Sequence, residues 1–81
     1  MTAPTRPQVG GYALTPAALR DAGLLGVTVQ DIGRTLANPD DEGPIPLRGG
    51  QCSTIGAYGS DKRLRLVLRP TASLVDRVLR A

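Results

Sequence analysis

The sequence predicts an α+β domain, two short helices packed on one face of a three- or four-stranded antiparallel sheet, in the chain order α-α-β-β-β. Three observations carry this expectation. Two helix-start signals stand close together, Leu14-Thr15-Pro16 and Val27-Thr28 with Asp31 three residues on. A stretch rich in proline, glycine and acid follows from Asn38 to Gly50, a loop composition. Beyond it, Arg63 to Arg69 alternates, with Leu64, Leu66 and Leu68 on one side and Arg63, Arg65 and Arg69 around Val67 on the other.

Taken in order, residues 1–11 hold two prolines and end in Gly10-Gly11, which predicts a flexible lead-in before a domain at 12–81, with a short strand near Tyr12. Thr15 caps the first helix, Pro16 suits its first position, Leu14 staples against Leu19, and Gly23 ends it. The second helix has Thr28 and Asp31 as a capping box and Val27 stapled against Ile32. Ile32 and Leu36 lie on one of its faces, and it stops at Asn38-Pro39, because a residue before proline is pushed out of the helical region.

Cys52 to Tyr58 reads as a strand weakened or bulged at Gly56, and Gly59-Ser60-Asp61-Lys62 as a turn into the alternating strand. The last segment, 73–80, supports two readings. Ser73 and Asp76 can cap a helix with Leu74, Val75, Val78 and Leu79 on one arc, whereas Pro70-Thr71-Ala72 can turn the chain into a further antiparallel strand; the strand is the reading adopted. The expected core is Leu14, Leu19, Val27, Ile32, Leu36, Ile55, Leu64, Leu66 and Leu68.

Composition narrows the chemistry. In 81 residues there is no Trp and no Phe, so one thin aliphatic core is all the chain can build. There is no histidine and Cys52 is the single cysteine, which excludes an internal disulfide, the usual zinc and iron ligand sets, and Ser-His or Cys-His nucleophile pairs. No metal and no cofactor are expected. Cys52 is read as a small core residue and Asp40-Asp41-Glu42 as a solvated acidic loop. No apolar run is long enough to span a bilayer and no signal peptide is visible, so a cytoplasmic protein is expected.

Charge is lopsided. Residues 1–41 carry three arginines against four aspartates; residues 42–81 carry seven basic groups against three acids, and Lys62 is the only lysine. Arginine's planar fork suits phosphate or carboxylate, so the second half points to RNA, DNA or an acidic protein as partner.

The spacing of Leu14-Thr15-Pro16, Gly26-Val27-Thr28, Asp31-Ile32, Leu36, Asn38-Pro39-Asp40 and Leu64 to Leu68 resembles small toxin-related domains of the RelE and BrnT type, from bacterial and phage toxin-antitoxin systems, over residues 12–81. The resemblance implies an antiparallel sheet whose basic and aromatic side chains hold RNA phosphate. The matching candidates are Arg48, Tyr58, Arg63, Arg65, Arg69, Arg77 and Arg80. The family's helix-one histidine falls on Ala17 and its downstream arginines on Asp21 and Leu25, so the resemblance implies a catalytically degenerate member that binds RNA, a host protein or an antitoxin. A small phage or mobile-element protein that inhibits a host factor by protein-protein contact is the alternative, and a sequence-independent nucleic-acid binder a third. The strand Arg63 to Arg69 or the C-terminal segment offers a sheet edge through which two copies could pair as a homodimer.

Overall fold

The computed structural model describes residues 7–81. The chain runs β1 (Gln8–Val9), β2 (Tyr12–Leu14), α1 (Pro16–Leu25), α2 (Val29–Ala37), β3 (Ile45–Pro46), β4 (Cys52–Gly59), β5 (Lys62–Arg69) and β6 (Leu74–Arg80), with single 3-10 turns at Arg48–Gly50 and Pro70–Ala72. The α+β class holds, and the sheet is larger than expected: six strands in the order β1-β2-β6-β5-β4-β3, so β5 and β6 are interior strands and neither is the sheet edge expected for pairing of two copies. The sheet is also mixed, because β2 pairs parallel with β6 through Ala13 opposite Leu74 and Leu14 opposite Val75. All other pairings are antiparallel. Among the described residues no helix is long and apolar enough to cross a membrane.

The extra strands are the short ones. Of the lead-in expected to be flexible, Gln8–Val9 forms β1 and turns back onto Tyr12; residues 1–6 lie outside the described residues. Ile45–Pro46, inside the expected loop, pairs with Ser53 and Cys52. Neither two-residue strand has room for the alternation that marks a strand in sequence. Segment 73–80 is β6, entered through Ser73 in the left-handed region (φ 52°), which a helix N-cap does not adopt.

Both helix starts are as expected. Thr15 accepts from the Ala18 amide with Pro16 at the first helical position, and Thr28 and Asp31 form the reciprocal capping box. Helix α1 passes Gly23 and ends at Gly26, whose positive φ of 71° lets its amide reach the Ala22 and Gly23 carbonyls. Leu19 is 37% exposed rather than stapled into the core. The buried stripe of α1 is Ala18 and Ala22, one turn apart, and Leu19 falls about 100° away from it. The two alanines bring α1 close against β6.

The core is one layer between the helices and a single sheet face: Leu14, Ala18, Ala22, Ile32, Leu64, Leu66, Leu68, Val75 and Val78. Val27, Leu36 and Cys52 pack partly buried against it. Ile55 lies opposite Arg65, on the other sheet face, because the β4 residues that pair with the inward leucines are Cys52, Thr54 and Gly56. Gly56 does not itself make a bulge, since the register shift falls between Ala57 and Gly59. It is needed because α2 lies on it: a Cβ there would sit 2.2 Å from the Thr35 carbonyl oxygen and 2.8 Å from that of Asn38.

Two outcomes check this packing. Leu66→Ala, in the centre of β5 and fully buried, costs about 2 to 5 kcal/mol of unfolding free energy in urea titration. Gly56→Ala pushes a methyl into backbone rather than a movable side chain, and lowers the thermal midpoint more than Gly23→Ala, where a Cβ meets nothing within 4 Å.

Candidate functional site

Both helices cover the same sheet face, and among the described residues no element covers the other. The register places Arg63, Arg65, Val67 and Arg69 of β5 there, opposite Ala57, Ile55 and Ser53 of β4 on one flank and Leu79, Arg77 and Leu74 of β6 on the other. Ala13 of β2 and Ile45 of β3 extend the same face through their partners Leu74 and Ser53. Four guanidinium groups are thus interleaved with aliphatic side chains.

The seven candidate residues divide by position. Arg63, Arg65, Arg69 and Arg77 share the open face. Arg80 lies opposite Leu64, on the helix-bearing side. Tyr58 also packs toward the helices, partly buried against the core, so it is no stacking platform for the arginines. Arg48 is exposed on the 3-10 turn before β4. The strand alternation that separates Arg63, Arg65 and Arg69 from the leucines was readable; the sides taken by Tyr58 and Arg80 depend on register across three strands.

Aspartates the sequence reading did not assign to the site bind three of the four face arginines. Asp40, from the segment after α2, pairs with Arg63; its amide is anchored to the Ile55 carbonyl at 2.8 Å. Asp76 is the extra residue of a β6 bulge between the Arg77–Val67 and Val75–Leu68 pairs. Its Oδ2 forms an ion pair with Arg69 Nε at 3.1 Å and accepts from Gln51 Nε2 at 2.8 Å. Asp21 of α1 takes the fork of Arg77, with Nε donating at 2.6 Å and Nη2 at 3.1 Å, and also accepts from the Val78 amide at 3.0 Å.

That last contact does structural work, because β2 pairs with β6 only as far as Val75. Past that point the Asp21 carboxylate takes over as the hydrogen-bonding neighbour of the strand. The Arg77 hydrogen bonds, joined by that of the Val78 amide, hold its carboxyl below the usual carboxylate range against the opposing effect of burial. Asp31 is lowered in the same direction, chiefly by the Thr28 amide.

Arg65 stands apart. Among the described residues it has no ion-pair partner; its Nη1 donates to the Ser53 hydroxyl at 3.3 Å. It is half-buried between Ile55 and Leu79, in the middle of the face. For chemistry the face offers guanidinium groups and carboxylates locked to them, and the chain has no histidine. A carboxylate engaged by an arginine fork is a weak general base.

The Asp21 contact sets an acid limb of stability. A carboxyl whose folded value is depressed stabilises the fold above its unfolded value near 3.9, and that contribution disappears as the pH falls through the folded value. The stability gap between wild type and Asp21→Asn, followed by urea midpoints, is therefore full at pH 7 and closes below about pH 4; a gap that persists undiminished to pH 2 refutes the clamp.

Compared with protein-family models, with curated proteins and with solved structures, the chain matches none.

Proposed function

We propose that this chain is a non-catalytic binding domain that engages an acidic region of a protein partner, a host factor or an antitoxin, through the helix-free face of its sheet. Its resemblance to toxin-related domains is, in this reading, one of framework without cleavage chemistry. The observation that carries the proposal is the charge state of the face: three of its four guanidinium groups are paired with aspartates, and among the described residues Arg65 has no carboxylate and bonds only the Ser53 hydroxyl.

A phosphate-tracking surface gains affinity from several cations that release condensed counterions, with a salt slope of about 0.9 per phosphate on a duplex and about 0.7 on a single strand. A face that has neutralised three of four arginines has little of this to offer. A protein interface needs something else, an apolar centre with one or two well-placed polar anchors. Ile55, Val67 and Leu79 around Arg65, with Leu74 further along the face opposite Arg69, supply that composition, and Leu79 is 37% exposed. The arginine-aspartate pairs keep the surrounding surface polar and discourage indiscriminate stacking of the face.

The test combines induced expression in bacteria with RNA integrity and affinity capture. The expected result is intact cellular RNA, no salt-sensitive shift of single-stranded RNA by the purified chain, and a captured protein that Arg65→Glu loses and Arg48→Glu keeps. RNA cleavage by the purified chain, or RNA affinity that falls steeply with salt and drops when Arg65 is removed, would overturn the reading.

A further inference from the structure

On the helix-bearing side, the end of the sheet outruns its cover. The α1–α2 corner stops at Leu25 and Val27, while β5, β6 and the β4–β5 hairpin continue past it, leaving a cleft of about 350 Å³. Leu25 and Val27 give it an apolar wall over the buried Leu64; most of the remaining lining is polar, with Tyr58, Lys62 and Arg80 adding a phenol and two cations. Asp61, Arg63 and Ala81 complete the lining.

The register explains why cations stand here. Along β5 the inward positions are Lys62, Leu64, Leu66 and Leu68, and Arg80 of β6 lies opposite Leu64. Lys62 and Arg80 thus occupy positions of the face that is elsewhere filled by buried leucine and valine, just beyond the last buried leucine. Arg63 is bound to Asp40. Among the described residues neither Lys62 nor Arg80 forms an ion pair; the Lys62 charge also acts on Asp31 of α2, so the cleft sets Arg80 and a partly engaged Lys62 against Asp61.

From this juxtaposition we propose that the cleft binds a small amphiphilic anion, a carboxylate or phosphate monoester head with a short apolar body. The body lies against Leu25, Val27 and Leu64, and the head between Lys62 and Arg80, within reach of a phenolic donor from Tyr58. A volume of about 350 Å³ stands at the lower end of the roughly 300 to 1,000 Å³ of small-molecule pockets, which limits the occupant to a short chain. The site lies on the helix-bearing side and shares only Arg63 with the open sheet face; Arg65 takes no part in it.

The experiment is a titration followed by backbone amide shifts, with octanoate, octyl phosphate, 1-octanol and inorganic phosphate as probes. Octanoate or octyl phosphate is expected to move the amides of Leu25, Val27, Lys62 and Leu64, with a Kd at least about tenfold below those of 1-octanol and inorganic phosphate; which head binds tighter identifies the natural head group. The Lys62→Ala/Arg80→Ala double variant alters two exposed side chains and is expected to weaken the better probe by about tenfold or more, while Arg65→Glu leaves it unchanged. Equal binding of 1-octanol shows a mere apolar crevice, equal binding of inorganic phosphate a mere surface attraction, and both overturn the proposal. So does an absence of shifts at millimolar probe, or affinity indifferent to the double variant in a chain whose circular dichroism is unaltered.

Discussion

Three leucines at alternate positions of one central strand are the constraint on which the rest of this molecule depends. Leu64, Leu66 and Leu68 are all buried, and what buries them must come from a chain without Phe or Trp. Two short helices suffice only because each comes close to the sheet. Helix α1 meets β6 with Ala18 and Ala22, and α2 rests its Thr35 and Asn38 carbonyls over Gly56. Small residues at the contacts turn a few aliphatic side chains into a sealed layer. The same economy leaves nothing to cover the second face, so the open surface follows from the size of the core.

The interplay of arginine and aspartate follows from that exposure. A sheet face left to solvent must be polar, and in this chain the polar residue used is arginine. Each of Arg63, Arg69 and Arg77 is met by an aspartate from a different segment: the run after α2, a bulge in β6, and α1. These contacts tie together segments distant in sequence; Asp21 and Arg77 are 56 residues apart. They also single out Arg65 without any unusual property of Arg65 itself. In the proposed reading, selectivity on this face arises by subtraction.

Where sequence was informative, the information was local. Thr15-Pro16 and the Thr28–Asp31 box signal helix starts because a cap acts within four residues, and the alternation of Arg63 to Arg69 declares a half-buried strand because its period is written in consecutive side chains. Leu19 misled, since a leucine near a helix start looks like a staple until the position of the sheet is known. Gly56 looked like a flaw in a strand, because the helix backbone lying on it comes from another segment. At the site, the arginine side of β5 was legible, whereas its aspartate partners were not: Asp21 and Asp40 reach the face only after the chain has folded. Tyr58 and Arg80 were grouped with the face arginines because a composition of basic and aromatic residues carries no information about which side of a sheet they take.

The parallel pairing of β2 with β6 has a consequence for the order in which the domain is assembled. Strands β4, β5 and β6 follow one another through short turns and close small loops, so their meander can form early. Joining Ala13 to Leu74 closes a loop of about sixty residues, and the entropy of that closure must be met before the contact gives anything back. The N-terminal strands and the lower end of α1 thus have no sheet to dock on until the chain from Leu74 onward is in place. During synthesis the first elements to emerge are among the last to find their neighbours, and in the interval Leu64, Leu66 and Leu68 lack the cover that α1 and β2 help to provide.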